Sequence, residues 1–231
     1  MSWKTAHRSF YYDGAPEPPD PVLLPGRVAL LVIDVQNVYL ERPADPAALS
    51  PADRARYDGW APFHARMHDT VIPNIARAMR AFRHRDLDVA FARIACLTPE
   101  GRDRSLSQRK PGWNDLLLPK DEEASQIVPA LAPEPGEIVV LKTTDSALTG
   151  TALRLHLTNM GITHVVCCGI FTDQCVSSTV RSLADESFDV IVLSDACAAG
   201  TLALHERELE VLNMIYASVM TTDEMLGYLP S

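Results

Sequence analysis

Cys175, Asp34 and Lys142 each stand where an apolar run gives way to polar chain, and together they offer a thiol, an acid and a cation. The thiol lies in the most informative stretch, Gly161 to Val180, which reads Gly-Ile-Thr-His-Val-Val-Cys-Cys-Gly-Ile-Phe-Thr-Asp-Gln-Cys-Val-Ser-Ser-Thr-Val. Thr163 to Cys168 is short, β-branched and apolar, the composition of a buried strand. Gly169 breaks it. Thr172 or Asp173 can cap a helix, which puts Cys175 in the first turn. A thiol there meets the positive end of the helix dipole and unpartnered backbone N–H groups, and both favour the nucleophilic thiolate. The same N–H groups can hold a developing oxyanion. Singly, each residue has an ordinary reading. A cysteine is often a small buried hydrophobe, an aspartate behind a strand is a turn residue, and a lysine is a surface charge.

The positions gain weight from the elements around them. Val28 to Ile33 is a continuous apolar strand that ends in Asp34, and Glu137 to Leu141 is a strand that ends in Lys142. Leu87 to Ile94, Asp189 to Leu193 and the short Ser218 to Met220 read as further strands. Helical patterns run from Phe63 to His84 with a break or fresh start near Pro73, and from Leu148 to Met160 with Gly161 as the stop. Two more run from Leu204 to Tyr216 and from Thr222 onward. Residues 42 to 62 carry prolines and charges and read as a long loop. Residues 98 to 136 are irregular, with Arg102, Arg104, Arg109 and Lys110 ahead of Pro111-Gly112-Trp113. That basic group is either a solvated face or a contributor to substrate binding. Alternating strands and helices predict an α/β domain around a mainly parallel sheet, and in such sheets chemistry sits outside the carboxyl ends of the strands. The sequence therefore predicts that acid, base and thiol converge. Residues 1–26, with the proline-rich Ala15 to Pro21, read as an extended arm lying on the surface or reaching a neighbouring subunit. Residues 27–231 read as a single domain.

Composition removes several function classes. Among 231 residues, 21 Lys and Arg against 30 Asp and Glu leave a net charge of −9, which argues against a nucleic-acid partner. With no apolar run long enough for a membrane span and no amino-terminal signal pattern, the expected place is the cytoplasm, without membrane contact. Five cysteines, an odd number without a CxxC pair, argue against a disulfide framework or a structural zinc site. Cys167 and Cys168 fall inside a strand and read as core; Cys96 and Cys197 have no evident partner. His64 and His68 can share a helical face, but without a third ligand they read as surface or structural residues. Asp195 reads as a helix cap or turn anchor. No metal and no cofactor is expected.

Four segments together resemble the isochorismatase-like cysteine hydrolases, a superfamily that includes N-carbamoylsarcosine amidase, biuret hydrolase, ureidoacrylate hydrolase and nicotinamidase. They are Leu30-Leu-Val-Ile-Asp34-Val-Gln36-Asn37, Leu141-Lys142-Thr-Thr-Asp-Ser146-Ala147, Gly169-Ile-Phe-Thr172-Asp173-Gln-Cys175-Val176 and Leu193-Ser-Asp195-Ala196-Cys197-Ala198. The resemblance spans roughly residues 27 to 226, and order, spacing and residue types agree together. It implies a three-layer α/β/α fold with a central, mainly parallel sheet of about six strands, and a homodimer or homotetramer. It also implies that Asp34, Lys142 and Cys175 form a catalytic triad, and that backbone N–H groups of Phe171 and Cys175 form an oxyanion hole. A cis peptide is implied between Ile170 and Phe171. Candidate substrate contacts are Gln36, Tyr39, Arg109, Trp113 and Phe171. The implied activity is hydrolysis of a C–N bond in a small amide, ureide or carbamoyl compound through a thioester on Cys175. The Asp-x-His metal motif of nicotinamidases is absent, and the cysteine that true isochorismatases lack is present. Two alternatives stay open: a redox-sensing member whose thiol does not turn over, and an isochorismatase-type hydrolase.

Overall fold

Val28–Ile33 is six apolar residues in a row, and as β1 all six are buried. A strand covered on both faces needs such a run, and β1 takes the centre of the sheet. β2 (Asp88–Ile94) pairs with it on one side and β6 (His164–Ile170) on the other. β5 (Ile138–Lys142) extends the first side; β7 (Asp189–Ala198) and β8 (Ser218–Met220) extend the second. The order is β5-β2-β1-β6-β7-β8, and every pair is parallel. Two short segments, β3 (Arg109–Lys110) and β4 (Asn114–Asp115), form a separate antiparallel pair. These features belong to a computed structural model that describes residues 2–112 and 114–230.

Helices cover the sheet as the sequence expects of an α/β chain. α3 (Ile72–Arg83) buries Ile75, Ala78, Met79 and Phe82, one helical face, and packs against β1, β2 and β7. α7 (Thr222–Leu226) lies beside α3 and is anchored by Asp195, whose Oδ1 accepts from Thr222 N and Oγ1, both at 2.7 Å. α5 (Ser177–Asp185) and α6 (Leu202–Leu212) pack on each other and on β7. α4 (Leu153–Met160) ends at Gly161 in the left-handed conformation, φ 78°, which a glycine adopts without a Cβ penalty. The result is a three-layer α/β/α arrangement. No helix among the described residues is long and apolar enough to cross a membrane.

One segment departs from its expected form. The stretch 42–62 is not a long loop: α1 (Asn37–Leu40) is followed by a short turn at 46–48 and then by α2 (Pro51–Arg66). Ser50 starts α2, its Oγ accepting from Asp53 N at 3.2 Å, and Pro51 takes the first helical position, where a missing N–H costs nothing. α2 buries only Phe63 and His64, so it carries no apolar stripe for a periodicity reading to find. A wide turn, Met67–Val71, carries the chain into α3, and Pro73 lies in its first turn.

Residues 2–26 lie against the carboxyl-terminal end of the chain. Trp3 is buried, its N–H donating to Glu224 Oε1 (3.0 Å) and its Nε1 to Tyr228 Oη (3.1 Å). Asn213 Nδ2 holds Ala6 and His7 by their carbonyls, each at 3.1 Å.

Register brings the polar strand ends together. Ile33 stands opposite Ala92 on one side and Gly169 on the other, and Ile94 stands opposite Lys142. Asp34, Lys142 and the turn after β6 therefore leave the sheet along the same edge, at its carboxyl ends.

Candidate active site

Lys142 is at the middle of the site. Its Nζ lies 2.7 Å from Asp34 Oδ2 and donates to Cys175 Sγ (3.3 Å) and to the Thr144 carbonyl (3.1 Å). Asp34 and Lys142 are each 1% exposed and Cys175 is 4% exposed. Although the Lys142 contact is short, neither Asp34 carboxylate oxygen has a directed hydrogen-bond partner among the described residues. The attraction is chiefly Coulombic, and it leaves carboxylate lone pairs available for a proton or a ligand N–H. Asp34 also sits at φ 55°, a backbone region that costs a non-glycine residue about 1–3 kcal/mol and recurs at functional sites. Its N–H donates to Ala92 O (2.9 Å), which ties that conformation to β2.

The turn that carries Cys175 begins with a close approach. Gly169 has φ 121°, and a Cβ there would lie 2.0 Å from the Ile33 carbonyl oxygen, so only glycine lets β6 pass the end of β1. The Ile170–Phe171 peptide is cis. Phe171 is the residue that precedes the helix, and it makes no side-chain cap. The expected capping by Thr172 or Asp173 is therefore corrected. Thr172 Oγ1 instead pairs with His205 Nδ1 at 2.8 Å, and Asp173 Oδ1 is buried without a partner. A widened first turn follows, with Val176 N–H donating to Phe171 O at 3.2 Å, and Cys175 lies in it. α5 continues from there.

The expected charge state of the thiol is also corrected. A helix start favours thiolate, but burial pushes Cys175 well above an ordinary thiol, and the Asp34 carboxylate adds to that against the pull of Lys142. Burial raises the Asp34 carboxyl above the usual carboxylate range, opposed chiefly by Lys142. Burial works against the Lys142 charge as well, but Asp34 and Cys175 outweigh it and hold the ammonium in its charged form. At rest the site holds a cation beside a carboxyl group and a neutral thiol.

Other sequence candidates divide. Gln36 is buried, and its amide is consumed by backbone: Nε2 donates to Ile94 O (2.8 Å) and Ser125 O (2.7 Å), and Oε1 accepts from Ile94 N (2.9 Å). It braces the strand end and has no donor left for a substrate. The Tyr39 ring meets that of Phe171 edge-on, with centroids 5.4 Å apart. Its hydroxyl is pushed far above an ordinary phenol by burial and then by the Asp34 and Cys175 charges, so Tyr39 borders the triad. Arg109 is exposed on β3, and no described contact brings it to the triad; Arg104 pairs with Asp115 (3.0 Å) instead. Trp113 lies outside the described residues. The loop reading of 42–62 hid the contribution of α2. Phe171 also packs against Phe63 (5.2 Å) and Trp60 (6.0 Å), and Asp145 Oδ1 lies 3.9 Å from Cys175 Sγ. Two aromatic residues on successive turns of a polar helix were the available signal. Among the described residues no group of three or more His, Cys, Asp and Glu is arranged to hold a metal ion.

The chain matches the model of the isochorismatase domain over residues 28–224. The chain belongs to the isochorismatase family. Among its curated relatives is the ureidoacrylate amidohydrolase RutB of Methylobacterium radiotolerans, 34% identical over 221 residues, covering 88% of this chain and 80% of the relative. The protein of the same name from Pseudomonas syringae pv. syringae is 30% identical over 195 residues, covering 78% and 75%. Among solved structures, an isochorismatase family protein from Burkholderia thailandensis superposes with a TM-score of 0.71 at 29% identity, covering 91% of this chain and 99% of that one. The N-carbamoylsarcosine amidase of Thermoplasma acidophilum shares the fold, with a TM-score of 0.63 at 22% identity and coverage of 85% and 97%. Family membership accounts for the parallel sheet and for the order in which Asp34, Lys142 and Cys175 occur along it.

Proposed function

We propose that this isochorismatase family member is a cysteine-dependent amidohydrolase, cleaving a C–N bond of a small amide, ureide or carbamoyl compound. The observation that carries the reading is one buried ammonium held between a carboxylate at 2.7 Å and a thiol at 3.3 Å. The curated relatives, named for action on ureidoacrylate, support a ureide or amide as the substrate class.

An amide carbonyl is a poor electrophile, so splitting its hydrolysis through a covalent intermediate lowers the barrier. Cys175 Sγ attacks the carbonyl carbon while the thiol proton passes to Asp34. The resting thiol is neutral, so proton transfer accompanies attack. A base whose pKa is raised toward the working pH suits that step. Backbone N–H groups of Phe171 and Cys175 stabilise the oxyanion. Asp34 returns the proton to the departing nitrogen, the C–N bond breaks, and a thioester remains on Cys175. Water, deprotonated by Asp34, attacks the thioester carbon; the acid leaves and the thiol regains its proton. Lys142 stays charged throughout and balances the negative charge that moves between carboxylate, sulfur and oxygen. A redox-sensing thiol would be exposed and acidic, whereas Cys175 is buried and pushed up.

The same reading carries a cytoplasmic homodimer or homotetramer with residues 27–231 as one hydrolase domain and 1–26 as its arm. Phe10 and Tyr11, 90% and 85% exposed on that arm, are apolar surface a second copy would cover. Ammonia release over a panel of small amides and ureides, with mass spectrometry of acid-quenched enzyme, tests the chemistry. The expected result is turnover of at least one ureide and an acyl adduct on the peptide containing Cys175. An adduct confined to Cys96 or Cys197 would overturn the assignment.

A further inference from the structure

A cavity of about 310 Å³ opens beside the triad, between the end of α1 and α2; its lining includes Glu41, Arg42, Arg56, Tyr57, Trp60 and His64. That volume suits a small ligand. Arg42 and Arg56 form no ion pair among the described residues, although acidic side chains elsewhere on α2 do so, as Asp58 with Arg54 at 3.0 Å. The Arg42 guanidinium lies 4.2 Å over the Tyr57 ring. Stacking occupies its face and leaves the N–H edge, the part that grips a carboxylate with two parallel hydrogen bonds, directed elsewhere. His64 is 8% exposed, and its Nδ1 is buried without a partner among the described residues. A buried ring nitrogen left unmatched is costly unless a ligand engages the ring. Burial first, and then the Arg42 charge, hold His64 below an ordinary imidazole, so it stands neutral beside the cation.

Aromatic contacts connect this cavity to the nucleophile. Trp60 lines the cavity and also packs on Phe171, with ring centroids 6.0 Å apart. Phe171 begins the turn that holds Cys175 and touches Tyr39, which borders Asp34. We propose that the Arg42–Arg56–His64 cavity is a carboxylate subsite, which holds the anionic end of the substrate while its carbonyl carbon lies against Cys175. The substrate class narrows from amides and ureides in general to those bearing a carboxylate. This rests on the amidohydrolase reading. Two acidic residues line the same cavity. Asp53 is engaged at the start of α2, its Oδ2 accepting from Ser50 Oγ at 2.6 Å. Glu41, without an ion pair among the described residues, opposes an anion and supplies a test of opposite sign.

The test compares ureidoacrylate and N-carbamoyl-β-alanine with their neutral methyl esters. Arg42→Gln and Arg56→Gln are each expected to raise KM for the acids about tenfold, with kcat changed far less. The effect on the acids should exceed that on the esters by at least fivefold, and Glu41→Gln should lower KM for the acids. Equal effects on acid and ester, or none on either, overturn the proposal. Equilibrium binding to Cys175→Ala enzyme, followed by tryptophan fluorescence, separates this from the chemistry. Arginine-dependent binding of the acids without turnover by the wild-type enzyme would leave the subsite standing and remove the amidohydrolase reading. Binding that does not depend on Arg42 or Arg56, binding of none of the acids, or binding that does not compete with ester turnover, as for a separate effector, overturns the subsite.

Discussion

Cys175 and the group formed by Cys167, Cys168 and Cys197 are alike in burial and differ in company. Cys167, Cys168 and Cys197 are 0% exposed, on β6 and β7. Burial raises each thiol: Cys197 to about 12, and Cys167 and Cys168 further. Burial raises Cys175 too. None of these thiols is made reactive by a lowered pKa. What separates Cys175 is Lys142 Nζ at 3.3 Å and a carboxylate positioned to take the proton. Cys168 Sγ has only the Leu31 carbonyl at 3.7 Å. Nucleophile and core residue are distinguished by what the opposite strands present, not by exposure.

The largest effect should fall on the thiol itself. Cys175→Ser should lower kcat/KM about 10³-fold or more, while Cys197→Ala, measured beside it in the same ammonia assay, stays within a few-fold of wild type. A folded Cys175→Ser enzyme with substantial turnover would erase the contrast.

Next come the groups that make the contrast. Asp34→Asn and Lys142→Met should each lower kcat/KM about 10²-fold or more, and the double variant should lose far less than the product of the two. Multiplying losses would mean that Asp34 and Lys142 act separately, and that the ion pair is only neighbourhood.

A pH profile gives a smaller and sharper reading. Asp34 must be ionised to accept the thiol proton, and burial holds its carboxyl above the usual range. Activity should therefore be lost as pH falls through an apparent pKa above the ~3.9 of a free aspartate. Because Lys142 opposes that rise, Lys142→Met should move the acid limb to higher pH, provided residual turnover is followed over the same range. A limb at the free-carboxylate value, or one unmoved by Lys142→Met, would count against Asp34 as base.

The smallest effect belongs to the other side of the comparison. Cys168→Ala should cost about 1 kcal/mol of stability, as a small loss of buried volume does, read from denaturant midpoints, with the acid limb of the pH profile unchanged.

Strands were the most legible part of this chain. Val28–Ile33 and Ser218–Met220 match their expected bounds, because a strand buried on both faces writes itself as an unbroken apolar run. α2 was not legible, since a helix that buries two neighbouring residues near its end has no stripe, and its prolines read as breaks. That omission hid Trp60 and Phe63, which close the aromatic wall on Phe171. Gln36 was legible as a polar residue behind Asp34, but not as one spent on the Ile94 and Ser125 backbone.

The residue types of the site and their order along the chain, Asp34, Lys142 and Cys175, follow from the sequence by itself, because each ends or follows a local apolar run. Its charge states follow only from the tertiary structure. A helix start alone predicts an acidic thiol; the folded chain surrounds that thiol with apolar neighbours and a carboxylate, and their sum outweighs the dipole. Such sums run over groups far apart in the chain and fall steeply with distance and with water content, and no local pattern of residues records either quantity.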